Sequence, residues 1–162
     1  MRMRCPLRHV GLAAGLALLP GAAMAMVTGD GPANASASSS SATAELYAEA
    51  RALIDAGDYE AALGPLQEIV AAEPANADAY NLLGYAARSL QRYGEARVHY
   101  ERALAIDPEH LGANAYYGEL LLVLGNLEGA QQRLAVLDEV CYLGCEEYDA
   151  LEAAIDAYMT AE

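Results

Sequence analysis

The sequence predicts an all-α fold, a stack of three helical hairpins closed by one C-terminal helix. Three observations predict it. The chain repeats itself at an interval of 34 residues. Between short turn motifs its apolar residues recur three and four apart. No stretch shows the period-two alternation of a half-buried strand.

Taken from its start, the chain opens with Arg2, Arg4 and Arg8 ahead of an apolar run at 10–19, too short to span a bilayer. Small residues follow at Ala23 and Ala25 around Met24, the side chains that a signal peptidase subsite admits. Residues 1–25 are therefore expected to be an export signal, with a mature chain starting at Met26; the alternative is a retained membrane anchor. Cys5 lies before the apolar run, the wrong side for a lipid-modified cysteine. Residues 26–42 are rich in Gly, Ala, Asn and serine, with a serine run at 38–41, and read as a flexible linker with little to bury.

Beyond the linker, residues 43–76, 77–110 and 111–144 superpose without a gap. The eighth position, where two helices approach closely, holds Ala50, Gly84 and Gly118, and the twentieth holds Ala62, Ala96 and Ala130. Bulky residues recur at Leu46 and Tyr80, at Leu83 and Tyr117, and at Tyr59, Tyr93 and Leu127. Pro74 and Pro108 occupy the thirty-second position and end the second helix of their hairpins; the third copy has no such proline. Over these 102 residues the sequence resembles the tetratricopeptide repeat family, and the middle copy, with Tyr80, Leu83, Gly84, Ala96, Tyr100, Ala103 and Pro108, resembles it most. The resemblance implies a right-handed α-solenoid. Departures are Glu49 and Asn114, polar where the family is apolar, and Pro65, placed where it can kink the second helix of the first repeat.

Residues 145–162 carry Tyr148, Leu151, Ala154, Ile155 and Tyr158 on one helical face, with Glu147, Asp149, Glu152 and Asp156 elsewhere. A hairpin stack leaves its last apolar face open, and such a helix closes it.

The formal charge is −14, and removal of three arginines with the signal would take it to −17. The chain has no lysine. Nucleic acid and anionic membrane surfaces are poor partners for it, since both demand a cationic face. No nucleophile, phosphate loop or paired-acid arrangement stands out, so neither catalysis nor a cofactor is expected. His9 leaves with the signal, and His99 and His110 read as surface residues, because no second ligand stands at helical spacing from either.

The family resemblance implies a concave groove lined by the first helix of each hairpin at its second, fifth, ninth and twelfth positions. These yield Tyr47, Arg51, Asn81, Tyr85, Arg88, Glu119 and Leu122, with Tyr116 adjacent. Tyrosine and arginine offer large contacts at low entropic cost, which suits a peptide-binding wall. Tyrosine is also the only aromatic residue the chain uses, eleven copies against no phenylalanine or tryptophan, so composition alone accounts for part of that wall. Arg51 and Arg88 are candidates for holding an acidic peptide group.

Cys141 and Cys145 form an even pair in a chain expected in an oxidising compartment, and Gly144 supplies the tight turn that lets residues four apart bridge. A structural disulfide is the expectation, and a copper(I)-binding or thiol-exchanging pair is the alternative. The expected function is that of a periplasmic or secreted scaffold binding another protein or peptide. Self-association through an uncapped first repeat is a further reading, whose signature is exposure of Leu46, Leu53 and Leu66.

Overall fold

The computed structural model describes residues 33–142 and 144–161. They form α1 (Ala33–Asp55), α2 (Tyr59–Ala72), α3 (Ala77–Ser89), α4 (Tyr93–Ile106), α5 (Leu111–Val123), α6 (Leu127–Val140) and α7 (Glu146–Ala161), with no strand among the described residues. The helices pair as three hairpins inside the 34-residue frames, and α7 packs on α5 and α6. The expected export signal and the start of the expected linker lie outside the described residues.

The remainder of that linker is a correction. Residues 33–42 belong to α1. Alanine recurs through the stretch, glycine and proline are missing from it, and a helix already nucleated by its packed half extends backwards without forming a new nucleus. Low apolarity shows a segment with little to bury, and that is compatible with a helix as readily as with a linker.

Each hairpin turns through one left-handed residue at the fifteenth position: Gly57 (φ 79°), Gln91 (φ 60°) and Gly125 (φ 74°). The same pair of backbone bonds closes all three turns. In the first, Gly57 N–H donates to Ile54 O and Asp58 N–H to Leu53 O; the others repeat this at Gln91 and Arg92, and at Gly125 and Asn126. The next helix then starts on a side-chain cap in four cases, where Asp58, Asn76, His110 and Asn126 accept from the N–H three residues on.

Pro65 sits inside a continuous α2. Its ring removes one N–H, but the Ala61 carbonyl that loses its donor belongs to an exposed residue with access to water. Gly64 before it has no Cβ to clash with the proline ring, which eases the helical conformation there.

The eighth-position residues are where packing is tightest. A Cβ built on Gly84 would lie 2.6 Å from two ring carbons of Tyr100, and one on Gly118 would lie 2.5 Å from Leu151 Cδ2. Tyr100 and Leu151 are fully buried because glycine leaves them that space, as are Ala62, Ala96 and Ala130 at the twentieth position. Leu151 and Ile155 of α7 join Leu121, Leu122 and Leu137 in one apolar cluster. Each such leucine contributes about 1.5–3 kcal/mol by burial, enough to hold a single terminal helix in place.

Two further expectations change. Leu66 is fully buried against Ala50, Ala79 and Leu83, and Leu46 and Leu53 are half-buried against the same cluster. The apolar edge that would drive self-association is therefore not exposed, because these leucines turn into their own hairpin and toward α3. Asn114, read as a departure from the family pattern, is fully buried and satisfied. Its amide donates to Pro108 O (3.0 Å) and His110 O (3.1 Å), and Oδ1 accepts from Arg133 (3.3 Å), tying the inter-repeat turn to α5 and α6.

Two substitutions test this reading in opposite directions. Gly84→Ala should lower stability by about 1–2 kcal/mol: alanine gains up to about 1 kcal/mol in helix propensity, but the rigid Tyr100 ring imposes an overpacking cost that exceeds it. Gln91→Gly should raise stability by roughly 0.5–1 kcal/mol by relieving a left-handed backbone. Urea unfolding followed by far-UV circular dichroism measures both, and the reverse order would refute the packing account.

Candidate functional site

The first helices α1, α3 and α5 lie side by side and leave a groove of about 620 Å³. Tyr47 and Arg51 line it from α1, Asn81 and Tyr85 from α3, and Tyr116 from α5. Five of the expected residues thus share one surface. The groove also takes in residues that were not expected in it: Asp55, Asp78, Gly112, the turn residues Asp107, Glu109 and His110, and Glu147 from α7. Asp78 and Gly112 stand at the second position of their repeats, which the family frame marks. The turn residues and Glu147 reach the groove only through the path of the chain between repeats and the docking of α7, which no first-helix rule covers.

Arg88 is engaged within the fold. Its Nη1 lies 2.6 Å from Glu119 Oε2, and both side chains are about three-quarters buried. The guanidinium stands 5.6 Å from the Tyr85 ring centroid and 5.8 Å from that of Tyr116, rings that are themselves 5.1 Å apart, and Tyr59 meets Tyr85 edge-on at 6.0 Å. Burial works against the Arg88 charge, but neighbouring Tyr100 and Glu119 outweigh it, and its pKa stands above the ordinary arginine value. Arg88 Nε and the Tyr100 hydroxyl, buried near each other, form no well-aligned hydrogen bond. Burial pushes the Tyr100 hydroxyl pKa strongly up, so it stays a neutral phenol beside the cation. The assembly is a joint between α3 and α5. Arg88 and Glu119, expected to bind a partner, bind each other.

Four of the other described arginines are engaged as well. Arg92 pairs with Glu60 and Arg97 with Glu101, both at 2.7 Å. Arg102 donates to Pro74 O and covers Tyr80, and Arg133 holds Asn114. Burial first, then Asp78, raises the Tyr47 pKa against the opposing influence of Arg51. Tyr85 is raised by burial and by Tyr59.

His110 is a correction, for it is a largely buried connector and not a surface residue. Its Nδ1 accepts from Ala113 N–H, which places the ring proton on Nε2, and that donates to Asp78 Oδ1 at 3.0 Å across the repeat boundary. His99 is half-buried beside Tyr80, with its pKa lowered by burial.

Cys141 closes the end of α6 and Cys145 precedes α7, with their sulfurs at disulfide distance and Cα atoms 5.6 Å apart around Gly144 at φ 87°. The bridge would sit at the joint where α7 docks.

Comparison with known proteins places this geometry. The tetratricopeptide repeat family matches residues 47–110 and again 87–155. No curated protein matches the sequence. Among solved structures, the TPR2B domain of yeast Sti1 in complex with a pHsp70 is 16% identical, with 75% of this chain and 98% of that one covered and a TM-score of 0.68. The Yersinia enterocolitica type III secretion chaperone SycD, in complex with a peptide of the translocator YopD, is 21% identical over 72% and 88%, TM-score 0.62. The second TPR domain of human RPAP3, in complex with the HSP70 peptide SGPTIEEVD, is 24% identical over 73% and 98%, TM-score 0.63.

If the Arg88 cluster is a joint, its partners must be coupled. Arg88→Met and Glu119→Gln should each lower unfolding free energy by about 1–3 kcal/mol, and the double variant should lose clearly less than their sum. A double-mutant cycle by urea denaturation decides this. Additive losses would mean that the two side chains act independently.

Proposed function

The chain belongs to the tetratricopeptide repeat family, and on that premise we propose that it is an exported, non-catalytic scaffold that holds a segment of another protein in its groove. The observation that carries the reading is the groove itself. It is a continuous concavity across three repeats, floored by half-buried tyrosines and by Asn81. Tyrosine rings held rigid by their own helices give contact area with little rotamer entropy to lose. The peptide complexes of SycD and RPAP3 support this use of the shared fold. Recognition of an acidic chain end, as in SGPTIEEVD, has little support here, since Arg88 is paired and Arg51 is the only arginine of the groove.

The arginine-rich start followed by a short apolar run supports export to the periplasm or beyond, and the cysteine pair supports an oxidising destination. In the bridged state the pair has no thiolate to offer copper or an exchange partner, which favours a structural role over the metal or redox alternative.

Photo-crosslinking in the living cell tests the proposal. A photoreactive residue placed at Tyr47 or Leu82 in the groove should capture a defined partner chain, and one at Val98, which is exposed on α4, should not. Capture from Val98 alone would move the binding face. N-terminal sequencing of the recovered protein checks export, with a start at or near Met26 as the expected result.

A further inference from the structure

The groove carries five carboxylates, Asp55, Asp78, Asp107, Glu109 and Glu147, against a single arginine, Arg51. Such a rim is unusual for a surface that must accept an anionic segment and well suited to a cationic one, because like charges facing across an interface are strongly rejected. Charge alone would say little in so acidic a protein. A second observation is independent of it. Asn81 lies in the groove wall with only 7% of its surface exposed, and its Oδ1 is buried without a hydrogen-bond partner. A buried acceptor of this kind carries a desolvation penalty until a donor reaches it, and native proteins keep few of them. Gly112 leaves space beside the same side chain, since a Cβ there would lie 3.0 Å from the Asn81 amide nitrogen.

We infer that the groove selects a basic segment: an extended stretch of a partner chain whose lysine or arginine side chains face the carboxylate rim while one of its N–H groups donates to Asn81 Oδ1. The inference rests on the peptide-binding reading above and adds the chemistry of the peptide. The partner is cationic where this chain, without lysine and with all but one of its described arginines engaged internally, is not. Charge complementarity then steers encounter and sets specificity, and contact with the tyrosines and Asn81 sets the dwell time.

The test uses the full chain and three fluorescein-labelled nonapeptides in which alanine alternates with lysine, with glutamate or with serine, read by fluorescence anisotropy. The lysine peptide should bind at least about tenfold more tightly than the glutamate peptide at low salt and weaken as salt rises. Asp55→Asn, Glu109→Gln and Glu147→Gln together should weaken it about tenfold, whereas Glu68→Gln, Glu128→Gln and Glu139→Gln, the same charge removed away from the groove, should change it by less than about twofold. Asn81→Leu should weaken the lysine and serine peptides alike. If the serine or glutamate peptide binds as tightly as the lysine peptide and Asn81→Leu abolishes that binding, the groove reading survives and the basic preference is overturned. If the two charge-neutralised variants weaken binding equally and Asn81→Leu has no effect, both are overturned.

Discussion

Two helices can close on a tyrosine ring or a leucine only where one of them carries no side chain, and the eighth position of the second and third repeats meets that condition. Gly84 admits Tyr100, and Gly118 admits Leu151. The first contact fixes α3 on α4 within a hairpin; the second fixes α7 on α5. Because hairpin spacing sets where the next hairpin stacks, the relative placement of α1, α3 and α5 follows from these approaches, and so does the groove between them. Burial of apolar surface provides the energy, and the small residues provide the distance at which it is gained.

Charge is distributed in a way that the totals do not reveal. Apart from Arg51, the described arginines are bound inward or along the surface to Glu60, Glu101, Glu119, Asn114 and Tyr80, so most carboxylates face solvent or the groove without a cation. The exposed pairs, Arg92 with Glu60 and Arg97 with Glu101, contribute little, about 0–1 kcal/mol each. Arg88 with Glu119 differs because it is largely withdrawn from water and enclosed by rings, which makes loss of either partner costly. A negative chain of this kind stays soluble and repels copies of itself, and the same field attracts a basic partner from a distance.

The fold was legible because its signals are local or periodic. The 34-residue interval, the small eighth and twentieth positions, the terminating prolines and the amphipathic last helix each need only a short window, and the helices fall where those windows place them. The site was legible in part. Tyr47, Arg51, Asn81, Tyr85 and Tyr116 line the groove because the repeat frame assigns their face, but the frame says nothing of what each side chain meets next. Arg88 looked free since its partner, Glu119, lies one repeat away. Asn114 looked like a defect because the carbonyls of Pro108 and His110 that satisfy it belong to a turn. Gln91 takes a left-handed conformation that its own identity does not announce, and only the glycines at the same place in the other two repeats hint at it. The start of α1 was misread because low apolarity was taken for lack of structure.

The contacts that build the groove walls are the contacts that hold neighbouring repeats together. Arg88 and Tyr85 on α3 meet Glu119 and Tyr116 on α5, and Asp78 at the start of α3 meets His110 at the start of α5. An occupant that touches Asn81, Tyr85 and Tyr116 therefore bridges two repeats and binds only when they are stacked. By linkage it must stabilise the stack by the free energy with which it prefers that arrangement. The dependence runs both ways: loosening the α3–α5 joint weakens binding without removing any contact to the partner. In a solenoid whose units touch only their neighbours, a groove shared between units makes recognition a property of the stack and not of any single repeat.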